Sequence, residues 1–184
     1  GDPSLRAAFW DSYLFEYPDG KYSKEIKRQR EKSWYEQALK AMNPDLIMSY
    51  MIEYPKGTYL KEAKQQHEKA LFYQVKQSNT IEQFDRYNLE YPKGRFSKEV
   101  KRLREKAWFE TATKTNTFIS LDGYIAEYPR GDFIGQVKTI KEQLRFDYAL
   151  EQKTLDAYRQ YINEYPQGKY TKQVLPQLDD LYFL

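Results

Sequence analysis

Ionisable and hydroxyl-bearing side chains recur in this chain at a fixed interval. Glu-Tyr-Pro stands at Glu16-Tyr17-Pro18, Glu53-Tyr54-Pro55, Glu90-Tyr91-Pro92, Glu127-Tyr128-Pro129 and Glu164-Tyr165-Pro166, each 37 residues after the last and each with glycine two places beyond the proline. A second tyrosine column runs through Tyr13, Tyr50, Tyr87, Tyr124 and Tyr161. Glu31, Glu68, Glu105 and Glu142 form a third, each four residues after Lys27, Lys64, Lys101 or Lys138. That spacing predicts an i,i+4 ion pair per copy, worth about 0.2–0.5 kcal/mol. Arg30, His67, Arg104 and Lys141 sit one residue before those glutamates.

Carboxylate, phenol and imidazole could together serve general acid–base chemistry. The pattern argues against it. His67 is the only histidine and there is no cysteine, so no second imidazole or thiolate can join it in a catalytic or metal site. His67 therefore reads as a surface residue in a solvated basic column. The acids are spread at the period rather than paired, and no Gly-rich phosphate loop, HExxH, GxSxG or EF-hand loop occurs. No catalytic residue, metal ligand or cofactor is expected. The glutamate before each Tyr-Pro faces the unfavourable end of a helix dipole, which predicts a compensating cation on an adjacent helix.

A strict 37-residue period implies a stacked array of supersecondary units. Over residues 1–184 we expect one all-α, right-handed solenoid of about five helix-turn-helix hairpins, forming part of a longer chain. Proline ends a short helix at each Tyr-Pro, and Gly20 and its equivalents are expected to take positive φ in the turn. Long helices are predicted near 22–42, 59–77, 96–114, 133–151 and 170–182, and short ones near 4–16, 45–53, 80–90, 117–127 and 154–164. Ser4, Asn43, Asn79-Thr80, Asn116-Thr117 and, more weakly, Lys153-Thr154 are the restart signals. Aromatic columns Tyr22/Tyr59/Phe96/Phe133/Tyr170 and Tyr35/Phe72/Phe109/Phe146/Phe183 fit surfaces that stack on neighbouring units. Gly123 and Gly135 fall inside helices, where glycine costs about 1 kcal/mol relative to alanine, and close backbone packing is the expected reason.

Aromatic residues reach 17% of the 184 residues and charged ones 31%, with a net charge of +3. That balance does not mark a nucleic-acid binder. No apolar run is long enough for a membrane helix. Two basic segments stand out, with Lys24, Lys27, Arg28 and Arg30 in one and Lys98, Lys101, Arg102 and Arg104 in the other. They read either as a groove for an acidic peptide, nucleic-acid backbone or anionic membrane, or as a solvated face diluted by interleaved glutamates, and the solvated face is favoured. Gly1-Asp2-Pro3-Ser4 carries no initiator methionine or signal-peptide core and reads as a processed or trimmed start. Leu181-Tyr182-Phe183-Leu184 begins another copy of the aromatic pattern, which implies continuation, a cap or self-association through array ends.

Trp108-Phe109-x-x-Ala112, Asn116-Thr117 and Tyr124-Ile125-x-Glu127-Tyr128-Pro129-x-Gly131-x-Phe133 resemble the tetratricopeptide-like (TPR-like) repeats of bacterial proteins of the BamD and CpoB type, and repeats appended to caspase-like proteases and kinases. The resemblance covers nearly all of residues 5–184. The period exceeds the usual TPR length of about 34 residues, and small-residue positions are partly aromatic, so no peptide-clamp residue is carried over. The half-TPR repeats of RNA-processing proteins share the aromatic flavour but lack this turn. The resemblance implies a non-catalytic protein-interaction scaffold, bacterial, periplasmic or cytoplasmic. A partner segment would dock on a concave face of short helices, with Asp45, Ser49, Glu82, Asp85, Arg86, Asp156, Arg159 and Gln160 as candidate contacts. An accessory or regulatory domain of a linked enzyme such as a caspase-like protease, a binder of nucleic acid or anionic membrane through the basic helices, and a purely structural spacer are the alternatives.

Overall fold

Residues 3–182 are described by the computed structural model, with side chains from 7 to 181. Gly1, Asp2, Phe183 and Leu184 lie outside the described residues, as do the side chains of Leu5 and Tyr182. The described chain is entirely helical outside its turns. Ten helices follow one another: α1 (Pro3–Glu16), α2 (Ser23–Ala41), α3 (Pro44–Glu53), α4 (Leu60–Ser78), α5 (Ile81–Glu90), α6 (Ser97–Thr115), α7 (Phe118–Glu127), α8 (Ile134–Gln152), α9 (Leu155–Glu164) and α10 (Thr171–Tyr182). Helix α1 begins at Pro3, so Ser4 lies in its first turn instead of capping it.

Local chemistry sets these boundaries. Asn43 Oδ1 accepts from Asp45 N at 2.8 Å, and Thr80, Thr117 and Thr154 cap α5, α7 and α9 through their hydroxyls. Thr154 thus caps as fully as the others. Thr117 and Ser120 satisfy each other's backbone N–H groups in a reciprocal capping box. Each long helix from α2 to α8 ends on a left-handed residue: Met42, Asn79, Asn116 and Lys153 have φ of 48–52°. That conformation closes the helix and turns the chain straight into the next cap.

At the other junction, Tyr54, Tyr91, Tyr128 and Tyr165 leave the helical region just before proline, as the ring of a following proline requires. Two successive turns follow, with Gly57 N donating to Tyr54 O at 2.9 Å and Leu60 N to Gly57 O at 3.2 Å. No glycine among the described residues has positive φ, contrary to expectation. Gly57 is required for a different reason. A Cβ there would stand 2.6 Å from Glu31 Oε1, 2.8 Å from Tyr50 Oη and 2.9 Å from Tyr54 Cβ.

The described chain forms two compact units, residues 1–101 and 102–184, the division falling within α6. In the first, α1 packs on α2, α2 on α3 and α4, α3 on α4 and α4 on α5. Its core includes Tyr35, Ala38, Ile47, Tyr50, Ala63 and Ala70. In the second, α7 packs on α8, α8 on α9 and α9 on α10. Core residues there include Ala112, Leu121, Tyr124 and Val137, then Phe146, Ala149, Tyr158, Tyr161, Tyr170 and Val174. The two aromatic columns meet face to face within each unit: Tyr35 on Tyr59, Phe72 on Phe96, Phe109 on Phe133 and Phe146 on Tyr170, with centroids 4.2–4.6 Å apart. Tyr22, of the same column, is exposed.

The two helical glycines do not mark close packing. A Cβ on Gly135 would meet nothing within 4 Å, and one on Gly123 would touch only the Trp108 ring at an ordinary 3.7 Å.

Candidate functional site

The periodic tyrosines and glutamates converge on one another. Tyr50, Tyr87, Tyr124 and Tyr161 have no exposed surface, and their hydroxyls donate to Glu31, Glu68, Glu105 and Glu142 at 2.7–2.9 Å. The same hydroxyls of Tyr87, Tyr124 and Tyr161 accept from the backbone N–H of Phe96, Phe133 and Tyr170. Glu31 and Glu142 also accept from Thr58 N and Lys169 N at 2.5 Å, across the glycine turn. These carboxylates thus close a polar node over the turn, in place of the predicted surface pairing with the lysine one helical turn away. Lys27 Nζ instead donates to Pro18 O at 3.3 Å. Burial, then the bond to Glu142, pushes the Tyr161 phenol up to about 12. Burial raises the Tyr50, Tyr87 and Tyr124 phenols as well. Held protonated and hydrogen-bonded, these hydroxyls tie turn to helix and are not presented to a substrate.

Three of the glutamates before Tyr-Pro, Glu53, Glu127 and Glu164, meet the expected cation on a long helix. Arg30 reaches Glu53 at 3.4 Å and also Asp11 at 2.7 Å, Arg104 reaches Glu127 at 2.6 Å, and Arg145 reaches Glu164 at 2.9 Å. In the fourth copy Lys141 turns to Asp122 at 2.5 Å, and Arg145 takes over. Arg30 and Arg104 also donate to the Tyr54 and Tyr128 hydroxyls. These two arginines are therefore spent on the helix junctions and do not belong to an outer basic face. Lys24, Lys27, Arg28, Lys98, Lys101 and Arg102 are exposed, and Arg28 pairs with Glu25.

His67 replaces the arginine in the second copy and overturns its assignment to the solvated surface. It is fully buried, with Tyr91 Oη 2.5 Å and Glu90 Oε1 3.3 Å from its Nδ1. Its Nε2 is buried with no hydrogen-bond partner among the described residues. Burial lowers its pKa, and Arg86 lowers it further, against an upward pull from Glu90 and Asp45. The sequence column pointed to the contact with Glu90. It did not reveal that the ring, shorter than arginine, would end inside the junction. Among the described residues no group of three or more His, Asp or Glu could hold a metal ion, and no helix is long and apolar enough to cross a membrane.

The exposed side of the short helices carries the remaining candidates. Asp45 and Ser49 stand exposed on α3, and Glu82 and Asp85 on α5. Arg86 pairs with Asp45 at 2.9 Å, which brings the α3 and α5 stripes side by side. Asp156, Arg159 and Gln160 are exposed on α9, in the other unit, and Gln160 bonds Glu164. Sequence reasoning missed the apolar members of this surface. Phe15, Ile52 and Leu89 occupy one position of the period and are 89%, 72% and 86% exposed. The signal was present, since that column is aliphatic or aromatic in three copies, yet no turn or stacking contact uses it. Ala126 and Asn163 fill it in the last two copies, where α7 exposes Ile119 instead. Beside the start of α3 a groove of about 410 Å³ is bounded by Met42, Asn43, Asp45, Tyr73, Gln74 and Gln77. No protein-family model matches this chain, and no curated protein matches it.

Proposed function

We propose that the chain is a non-catalytic protein-docking scaffold of the TPR-like helical-repeat kind, the solenoid class expected from its 37-residue period. Its partner binds along the exposed side of the short helices. One observation carries this reading. The short helices commit their inward side to the tyrosine–glutamate nodes, yet α1, α3 and α5 each keep a large apolar residue exposed at the same position, Phe15, Ile52 and Leu89. Large apolar side chains left exposed at the same position of successive copies, among polar neighbours, support an interaction surface there. The basic long-helix face is the poorer candidate, because Arg30 and Arg104 are held by Glu53 and Glu127.

Site-specific photocrosslinking in the native host tests the reading. A photoreactive residue at Ser49 should capture a defined protein, and one at Lys27 should not. Capture from Lys27 alone, or of nucleic acid from Lys101 with none at Ser49, would overturn it.

A further inference from the structure

The chemistry of the docking face limits what can occupy it. In a helix, residues seven apart lie on one stripe two turns from each other. Asp45, Ser49 and Ile52 form such a stripe on α3, and Glu82, Arg86 and Leu89 form its counterpart on α5. Each runs from a carboxylate through a polar residue to an aliphatic one, and the Asp45–Arg86 pair sets them next to each other. Helix α3 carries Asp45 and Glu53 and no base, while on α5 Arg86, bound to Asp45, stands among Glu82, Asp85 and Glu90. The lysines of this unit lie instead on the long helices, among them Lys24, Lys27, Lys61 and Lys64, and in the turns, at Lys21, Lys56 and Lys93. Glu82 is exposed and makes no ion pair among the described residues.

Acids in a first turn also complement the helix dipole, which accounts for Asp45 and Glu82 singly. It does not account for an aliphatic residue left in water two turns along the same stripe in both helices. It also leaves unexplained why cations were kept off these helices except for one that is already paired. Resting on the docking function proposed above, we infer that the α3/α5 face takes a cationic amphipathic segment. Aliphatic side chains of the partner cover Ile52 and Leu89, and its lysines or arginines meet Asp45 and Glu82. An acidic segment would bring like charges together at Asp45 and Glu82, a juxtaposition that suppresses binding. The site belongs to the first unit, because the column turns to Ala126 and Asn163 beyond it.

The test uses the full chain and three labelled helical peptides of about 15 residues, read by fluorescence anisotropy at about 0.15 M salt. One is a leucine/lysine amphipathic helix, one its leucine/glutamate counterpart, and one keeps the lysines with leucine replaced by serine. The leucine/lysine peptide should bind at least about tenfold tighter than either of the others. Ile52→Ser with Leu89→Ser, and separately Glu82→Lys, should each weaken it about tenfold or more, while Asn163→Ser should leave it unchanged. All these positions are exposed, so the variants keep their fold, and circular dichroism checks that they do. Equal binding of the lysine/serine peptide, or indifference to the Ile52 and Leu89 variants, would overturn the proposal. Preference for the leucine/glutamate peptide, lost in the serine variants, would leave docking intact and overturn its charge preference. Failure of all three peptides while Ser49 still captures a host protein would overturn the cationic chemistry alone. Failure of both experiments would overturn the docking reading as well.

Discussion

A glycine, a tyrosine and a glutamate from three separate segments share one point at Gly57, Gly94, Gly131 and Gly168, and single-residue changes there should be the most costly in the molecule. At Gly94 an added Cβ would stand 2.8 Å from Tyr87 Oη and 2.8 Å from Tyr91 Cβ, with the Glu68 carboxylate closer still. Gly94→Ala should destabilise by about 1–3 kcal/mol, the range for overpacking a filled site. Gly135→Ala, with open space around it, should instead stabilise by about 1 kcal/mol. Urea denaturation of the two variants gives opposite signs if the turn glycines serve close approach. Tyr87→Phe removes the donor to Glu68 and the acceptor of Phe96 N, and should cost about 1–3 kcal/mol in the same assay.

His67 adds a pH dependence at the residue scale. Its pKa is lower in the folded chain than its ordinary value because it is buried, with Tyr91, Glu90, Arg86 and Asp45 as the titratable or charged groups acting on it. The unfolded chain then binds the extra proton, so stability is full above the unfolded histidine value of about 6.5 and declines as pH falls through it. Thermal unfolding at about pH 7.5 and pH 5 should show this loss. His67→Arg, which installs the residue found at 30 and 104, should reduce it. An unchanged pH profile in that variant would show that the histidine does not contribute.

The helices owe their ends to caps of known strength. Thr117 closes a reciprocal box with Ser120, and Thr117→Ala should cost about 1 kcal/mol. Lys153 holds φ at 52°, a left-handed conformation that disfavours a side chain with Cβ. Lys153→Gly should therefore raise stability, by up to about 1 kcal/mol, on chemical denaturation. Asn79 and Asn116 occupy the equivalent position with a residue better suited to it. Glycine at either should consequently gain less than at Lys153.

For the molecule as a whole, the proposed docking surface is separable from the contacts required for folding. Ile52→Asp and Leu89→Asp alter side chains that are 72% and 86% exposed, so each should change stability by no more than about 0.5 kcal/mol. The same variants should abolish capture of a partner from Ser49. Stability lost in step with capture would show instead that these residues belong to the core.

Much of this was readable from the residues, because period, proline and cap chemistry act over a few positions of the chain. Helix boundaries came within one or two residues for nearly every element, and the cations facing Glu53, Glu127 and Glu164 followed from dipole reasoning. What eluded sequence reasoning depended on direction in space. Lys27 and Glu31 are correctly spaced to pair on a helix surface, but the carboxylate is drawn to a buried phenol nineteen residues later at Tyr50. Gly57 has the turn position that commonly calls for positive φ, yet only the folded packing reveals the carboxylate and phenol that would collide with a Cβ. The His67 column is basic in four copies, at Arg30, His67, Arg104 and Lys141, but burial depends on how far a side chain reaches into the junction. Where helices begin and end was legible in the residues alone, since those limits follow from local backbone sterics and hydrogen bonding. Which polar groups face inward, and which apolar ones, Phe15, Ile52 and Leu89, remain in water, emerged with the packed fold, because that depends on the neighbours each face meets.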